Sequence, residues 1–335
     1  MEPTPQLRKK FKSTQDWNDY IAPILQSGGI NGQQLLDLRK VCYAEIEALR
    51  GRPLLVYGTK FLDGVPQGVP NQIDLPDVDG FTDLINSVGD SDSVDVLLHS
   101  PGGRPDATER IVEILRNKFT KGVHFLIPHS AYSAATMLAL SGDTIVLHPS
   151  AILGPIDPQV GVPTEYGSFR FVPAKSILNG FSKAKAMIKK EGAEALPAYI
   201  PLIEKYSLDL FEFCEDSEKL SKELVTTWLK KYMFAGERST SLSKKIKKAA
   251  HFFSDYDTHK IHSRPLAPSK LGDFGLKIEV ASGDLCDLMW EVYILLNGFF
   301  NISNFVKLYE TRHGVSWGKQ FQVFGMPQAQ PPKPK

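Results

Sequence analysis

Three short apolar segments in the first half of the chain constrain its fold more than any other feature. They comprise residues 94–98, 123–127 and 144–147. Each has the length and the apolar content of a buried strand, and each ends in a turn of small and polar residues. A helical pattern over residues 106–119 separates the first segment from the second. Strands that alternate with helices are typical of a parallel sheet, so we predict an α/β fold.

The turns that follow these strands carry the residue types of a hydrolytic site. Ser100-Pro-Gly-Gly103 follows the first strand, Ser133 opens a run of small residues after the second, and Asp157 lies in the loop after the third. The glycines leave backbone N–H groups free to face a ligand, and a helix beginning at Ser133 adds the amide of Ala134. A nucleophile, amide donors for an oxyanion and an acid at successive strand ends indicate a serine hydrolase, and we expect a peptidase.

Each of these residues also has a purely structural interpretation. Ser133 could act as a helix N-cap, although that role does not explain the Ser-Pro-Gly-Gly turn upstream. Asp157 could equally satisfy turn amides beside two prolines. Ser130 lies three positions earlier and is the competing nucleophile.

Three segments of the sequence resemble the Clp-protease and crotonase superfamily, and in particular the serine dehydrogenase proteinase family, which is related to signal peptide peptidase A. They are residues 100–103, 133–142 and 154–159, and the resemblance covers roughly residues 50 to 280. It implies a Clp-protease/crotonase-like spiral of ββα units with helices added at both ends. It also implies a serine peptidase that forms an acyl-enzyme on Ser133, which matches the Clp pattern better than Ser130 does. Amides of Gly102, Gly103 and Ala134 would form the oxyanion hole.

The identity of the general base stays open between three residues. In Clp peptidases a histidine occupies the loop after the third strand, where this chain has Asp157. The serine dehydrogenase proteinase family is described with the order Ser, Asp, His, which implies that His262 is the base and that Asp157 orients it. His259 is a competitor in the same segment. Lys175 is the third alternative, because it resembles the lysine of Ser–Lys dyad peptidases of this fold, and it would need an apolar pocket to act as a base.

Two functions of other classes also remain open from the sequence. The same fold serves crotonase-like enzymes that act on acyl-thioesters, and a chain without the usual histidine could be a catalytically inactive scaffold for assembly. For the favoured peptidase we expect a peptide or unfolded protein as substrate. Related folds usually form rings or dimers, so we also expect a homo-oligomer.

Composition sets limits on location and cofactors. The 335 residues carry a net charge of +1, which gives no electrostatic argument for binding nucleic acid. Three cysteines lie far apart, which favours a reducing compartment and argues against a thiolate metal site. The start has no signal-peptide pattern, and the apolar stretch at residues 288–300 is too short to span a membrane, so we expect a cytoplasmic protein. Acyl transfer needs neither a metal nor another cofactor.

We predict four parts along the chain. Residues 1–50 form an N-terminal helical extension, and residues 51–284 form the peptidase domain. Residues 285–325 form a C-terminal helical segment. Residues 326–335 are rich in proline and polar residues and have the composition of a disordered tail.

Overall fold

The computed structural model describes residues 8–29, 31–65, 68–164, 169–203 and 206–321. The helices are α1 (Thr14–Gln26), α2 (Gly32–Arg50), α3 (Asp77–Ser87), α4 (Pro105–Lys118), α5 (Ala134–Leu140), α6 (Ala174–Glu191), α7 (Leu196–Ile203), α8 (Leu208–Trp228), α9 (Leu242–Ser254), α10 (Tyr256–His259) and α11 (Gly283–Ile302). The strands are β1 (Leu54–Thr59), β2 (Ser93–His99), β3 (Gly122–Ile127), β4 (Ser130–Ala131), β5 (Thr144–Leu147), β6 (Ile152–Leu153), β7 (Gln159–Pro163), β8 (Phe169–Pro173), β9 (Ile278–Val280), β10 (Phe305–Glu310) and β11 (Ser316–Gln320). The predicted tail at residues 326–335 lies outside the described residues.

A seven-stranded sheet organises the described part of the chain, with the strand order β11-β10-β1-β2-β3-β5-β9. Strands β1, β2, β3, β5 and β9 run parallel to one another. Strands β10 and β11 pair antiparallel at one end of the sheet. The predicted α/β fold with a parallel sheet is therefore confirmed. Because parallel strands end at the same edge, the turns after β2, β3 and β5 meet there.

Both faces of the sheet are buried under helices, which explains why its strands are almost wholly apolar. Successive side chains point to opposite faces of a strand, so each strand contributes to two cores. The core beneath α3, α4, α5, α8 and α9 includes Leu98, Ile127 and Leu147 from neighbouring strands. The core beneath α1, α2 and α11 includes Leu97, Leu126 and Val146. The site at the strand ends is thereby fixed to a rigid layer.

The C-terminal segment corrects two predictions. It is not wholly helical, because α11 ends at Ile302 and residues 305–320 contain β10 and β11, which extend the central sheet. The helix itself has 20 residues and a mean hydropathy of 1.2, so by length and composition it could cross a membrane, although half of it is buried inside the protein. The expectation that this stretch is too short was wrong. Glu291, which interrupts the apolar pattern, is buried and accepts a hydrogen bond from Arg8 at 2.7 Å.

Helices α6 and α8 and the β7–β8 hairpin form a smaller lobe beside the strand ends. Its own apolar cluster is small and consists of Val160, Ala174, Ile177 and Cys214. Helix α8 continues from this lobe into the main core, where Val225 is fully buried. The lobe therefore overhangs the strand ends and supplies one wall of the candidate site.

Candidate active site

Ser133 has a backbone conformation that is rare for a residue with a side chain. Its φ is 51° and its ψ is −122°, between the end of β4 and the start of α5. Such a conformation costs about 1–3 kcal/mol and persists only where the surroundings impose it, commonly at functional sites. The hydroxyl makes no capping bond to the helix that follows. The N-cap interpretation of Ser133 is therefore not what the structure shows.

Two neighbouring strands impose this conformation. On one side, Ser100 donates its amide to Ser130 at 3.1 Å and accepts the amide of Tyr132 at 3.0 Å. On the other side, β4 pairs with β6. The backbone just before Ser133 is thus held on both edges, and the turn into α5 must be made at Ser133 itself. A partly exposed serine on a strained turn between a strand and a helix is the arrangement of a nucleophile elbow.

Gly102 lies against this turn, and no larger residue fits there. Its φ is 88°, and a Cβ atom would lie 2.4 Å from the Tyr132 carbonyl oxygen and 2.8 Å from the amide nitrogen of Ala134. Both neighbours are backbone atoms, so neither can move aside cheaply. The expected approach of the Ser-Pro-Gly-Gly turn to Ala134 is present.

The amides of this turn differ in their hydrogen bonds. Gly102 donates to the hydroxyl oxygen of Ser100 at 3.2 Å. Ile73 pairs with the backbone on either side of Gly103. Its carbonyl oxygen accepts from the amide of Arg104 at 2.9 Å, and its amide donates to the carbonyl oxygen of Gly102 at 2.7 Å. By strand alternation the amide of Gly103 points away from Ile73, and Gly103 lines the same cavity as Ser133. In the described part of the chain neither that amide nor the amide of Ala134 has an acceptor.

The structure brings His262 and Asp157 together although 105 positions separate them. Nδ1 of His262 lies 2.9 Å from Oδ1 of Asp157. A carboxylate can only accept, so Nδ1 is the donor in this contact, and in the neutral imidazole Nε2 is the nitrogen with the lone pair. Gln159 donates to the second carboxylate oxygen at 3.2 Å. Only 2% of the Asp157 side chain is exposed, against 24% of His262, so the acid lies behind the imidazole.

Backbone hydrogen bonds hold the segment that carries Asp157 beside the segment that carries His262. The amide of Ile156, next to Asp157, donates to the carbonyl of Phe253 in α9 at 2.8 Å. Leu153 and Leu266 exchange two backbone hydrogen bonds of 3.1 Å and 2.9 Å. The loop that carries His262 is therefore fixed at both ends, by α9 and α10 before it and by Leu266 after it.

Ser133, His262 and the two free amides line one cavity of about 650 Å³. Its apolar wall consists of Met137, Ile156, Phe171, Phe213 and Leu220. Ser133 Oγ makes no hydrogen bond within the described residues, including none to His262. Nucleophile–base contacts commonly tighten only when substrate binds, so a shared cavity is the informative observation. The apolar wall from β8 and α8 was not anticipated from the sequence, where the phenylalanines resemble ordinary core positions.

The two rival bases lie elsewhere. His259 is buried, with its Nε2 2.5 Å from the carbonyl oxygen of Phe252 and its ring edge-on to the Phe252 ring, so it stabilises its own turn. Lys175 pairs with Glu218 at 3.7 Å in a separate depression between α6 and α8, and 37% of its side chain is exposed. Lys175 is thus paired with an acid, partly exposed and outside the cavity that Ser133 lines, which does not fit the buried, unpaired lysine of a Ser–Lys dyad.

The competing nucleophile, Ser130, has no access to the cavity. It is fully buried, and its hydroxyl lies 2.6 Å from Nδ1 of His129. Burial lowers the pKa of His129, so its ring is neutral at neutral pH. As for a metal, no group of three or more histidine, cysteine or acidic side chains converges among the residues with described positions.

Two uncharacterized proteins of Methanocaldococcus jannaschii are similar to this chain in sequence. One is 26% identical over 242 residues, which are 71% of this chain and 70% of that protein. The other is 32% identical over 100 residues, which are 30% of this chain and 34% of that protein.

Solved structures of proteases are also similar. A serine-to-alanine mutant of a membrane-bound stomatin-specific protease is 20% identical, with a TM-score of 0.37, over 64% of this chain and 76% of that one. A ClpP mutant from Listeria monocytogenes is 12% identical, with a TM-score of 0.32, over 77% of this chain and 99% of that one.

The family assignment rests on a longer match. The model of the ClpP-like SDH-type serine proteinases matches residues 21–299, which include β1, β2, β3 and β5 and every candidate site residue. The resemblance inferred from the three short segments is thereby confirmed, together with the Clp-protease fold that it implied. The chain belongs to the ClpP-like SDH-type serine proteinase family and is a serine-type peptidase.

Proposed function

We propose that the protein hydrolyses peptide bonds through an acyl-enzyme on Ser133, with His262 as general base and Asp157 as the acid that orients it. The observation that carries this proposal is the strained Ser133 facing the same cavity as His262, whose far nitrogen is bound to the buried Asp157. If Ser133 had only a structural role and His262 were an ordinary surface residue, the strained backbone, the shared cavity and the buried acid would have no reason to occur together.

The chemical steps follow from these positions. Nε2 of His262 removes the proton from Ser133 Oγ as the oxygen attacks the peptide carbonyl carbon. The amides of Gly103 and Ala134 donate to the resulting oxyanion. The imidazolium then protonates the leaving amine, the C–N bond breaks and the acyl-enzyme remains. Water, deprotonated by the same nitrogen, hydrolyses the ester and restores Ser133.

The apolar wall of the cavity supports a preference for apolar side chains in the substrate. Phe171 and Phe213 are 62% and 57% exposed, so they present open aromatic surface beside Ser133. Burying part of such surface against an apolar substrate side chain is favourable by about 25 cal/mol per Å². We therefore expect cleavage next to apolar residues in extended or unfolded chains.

A fluorophosphonate probe, followed by mapping of the modified peptide, tests the nucleophile. We expect labelling at Ser133, and loss of both labelling and casein hydrolysis in Ser133→Ala with unchanged thermal stability or a slight gain. Ser130→Ala is the matched control, because that hydroxyl is buried against His129, and this variant should remain labelled and active.

The same experiment separates the alternative functions. Labelling at another residue, or full activity in Ser133→Ala, would contradict the acyl-enzyme on Ser133. A folded protein with neither labelling nor hydrolysis would favour the inactive scaffold. An acyl-thioester enzyme of the crotonase type would turn over thioesters without depending on the Ser133 hydroxyl.

A further inference from the structure

A buried ion pair lies behind the loop that carries the Gly103 amide. Lys307 of β10 is 1% exposed, and its Nζ lies 2.8 Å and 2.9 Å from the two carboxylate oxygens of Asp77, at the start of α3. Its remaining donor goes to the main-chain carbonyl oxygen of Gln72 at 2.5 Å. All three N–H groups of this ammonium are therefore used inside the protein.

A second lysine, Lys319, also neutralises the Asp77 carboxylate, and it does so without being fully buried. Lys319 of β11 also reaches Oδ1 of Asp77, at 3.0 Å, and 24% of its side chain stays exposed. Tyr57 and Tyr309 donate to the same carboxylate at 3.1 Å and 2.5 Å. Burial raises the pKa of Asp77, but the Lys307 ammonium, together with the hydrogen bonds from Tyr309 and the Asp74 amide, holds that pKa below its ordinary value. What distinguishes Lys307 from the other partners is its contact with Gln72.

The contact with Gln72 leads directly to the candidate active site. Gln72 lines the cavity of Ser133, and the next residue, Ile73, makes the two hydrogen bonds that flank Gly103. A Cβ atom on Gly103 would lie only 2.1 Å from the carbonyl oxygen of Ile73, so the two backbones are in tight contact. A displacement of Gln72 and Ile73 would therefore be transmitted to the Gly103 amide.

We propose that Lys307 is a positioning residue of the oxyanion hole, which it serves by fixing the Gln72 carbonyl and, through Ile73, the direction of the Gly103 amide. This inference rests on the proposed function, because it needs Gly103 to donate to the oxyanion. Loss of a whole oxyanion donor lowers kcat by about 10²–10³-fold. A donor that is displaced rather than lost should cost about 10- to 100-fold.

The matched pair Lys307→Met and Lys319→Met tests the proposal. Both variants remove one ammonium from Asp77, but only the first removes a donor from Gln72. We expect kcat on a quenched fluorescent peptide, taken from a site that the wild type cuts in casein, to fall at least tenfold in Lys307→Met. KM should stay within about twofold, because the apolar walls are unchanged. In Lys319→Met both constants should stay within about twofold.

A second measurement reports the proposed route itself. Amide hydrogen exchange at Ile73 and Arg104 should quicken in Lys307→Met and stay unchanged in Lys319→Met. If Lys307→Met does not fold, the double variant Lys307→Met/Asp77→Asn removes both buried charges, which avoids a buried carboxylate paired only with the partly exposed Lys319. The same loss of kcat is expected in the double variant.

The results separate this proposal from the proposed function. Ser133→Ala is assayed alongside, and an active Ser133→Ala would remove the proposed function and the positioning role with it. If wild type depends on Ser133 and Lys307→Met keeps its kcat, only the positioning role is wrong. An equal fall of kcat in Lys319→Met would also overturn it, because the effect would then follow the charge on Asp77 and not the contact with Gln72.

Discussion

Replacing Asp157 with asparagine removes the charge behind His262 while leaving its shape nearly unchanged. The Oδ1 atom of an asparagine can still accept the Nδ1 proton of His262 at the observed 2.9 Å. The second position becomes an NH2 donor, so Gln159, which now donates there, keeps this contact by turning its amide so that Oε1 accepts. Asp157 does not line the cavity, so substrate contacts should remain intact. The variant therefore isolates the electrostatic contribution of the carboxylate.

The magnitude follows from the distance between the two groups. When His262 takes the serine proton, a cation forms about 3–4 Å from the buried carboxylate, and at an effective dielectric constant of about 20 the two attract by about 4–6 kcal/mol. Each ~1.4 kcal/mol of lost transition-state stabilisation is a factor of about ten in rate. We therefore expect kcat to fall by about 10³–10⁴-fold in Asp157→Asn, with KM within about twofold.

Steady-state hydrolysis of the quenched fluorescent peptide measures both constants, and thermal unfolding checks the fold. Gln159→Ala is the control, because it removes the other hydrogen bond to the same carboxylate. Its kcat should change by less than about fivefold. A folded Asp157→Asn that keeps more than a tenth of the wild-type kcat would refute the assignment of Asp157 as the orienting acid.

Three further predictions concern the base, the turn and the response to acid. Peptidase assays should show that His262→Ala loses at least about 10³-fold in kcat, whereas Lys175→Ala stays within about threefold; the reverse order would favour a Ser–Lys dyad. Gly102→Ala should be inactive and melt at a lower temperature, since its Cβ would lie 2.4 Å from a backbone carbonyl oxygen, and an active, stable variant would contradict this geometry. Burial lowers the pKa of His99 from 6.5 to about 3, so between those values the unfolded chain binds a proton that the folded one excludes. The contribution of His99 to the free energy of unfolding is therefore fully present above about pH 6.5, and it declines by up to about 1.4 kcal/mol per pH unit on acidification to about pH 3. Urea unfolding of His99→Phe should show a shallower acid slope, and an unchanged slope would mean that His99 is not responsible.

The parts of the site that depend on local pattern could be predicted from the sequence. Ser133 and Asp157 each follow an apolar strand, and parallel strands place such turns at one edge. His262 could be proposed only through the family resemblance, since nothing near it in the sequence distinguishes it from His259. Tertiary contacts distinguish the two histidines. Nε2 of His259 contacts the carbonyl oxygen of Phe252, whereas Nδ1 of His262 contacts the carboxylate of Asp157.

Features that depend on distant parts of the chain could not be predicted. Lys307 alternates with apolar residues in β10, as a residue on a solvated face would. It is buried because β10 lies between β1 and β11, and neither pairing is signalled by the sequence. The apolar stretch at residues 288–300 underestimates α11 because the helix continues through less apolar residues at both ends, from Gly283 to Ile302. The partner of the carboxylate inside it, Glu291, is Arg8, which lies 283 positions away.

The position of β10 has a consequence for how the protein is made. Val56 of β1 pairs with Glu310, so the pairing of β1 with β10 cannot form until the chain as far as Glu310 has left the ribosome. At about 5–20 residues per second, synthesis delivers β10 tens of seconds after β1. Throughout that interval the segment at Gln72 and Ile73 lacks the lysine that holds it. On the positioning role proposed for Lys307, a nascent chain would acquire an ordered oxyanion hole only after β10 has been synthesised, and its peptidase activity would begin no earlier than that.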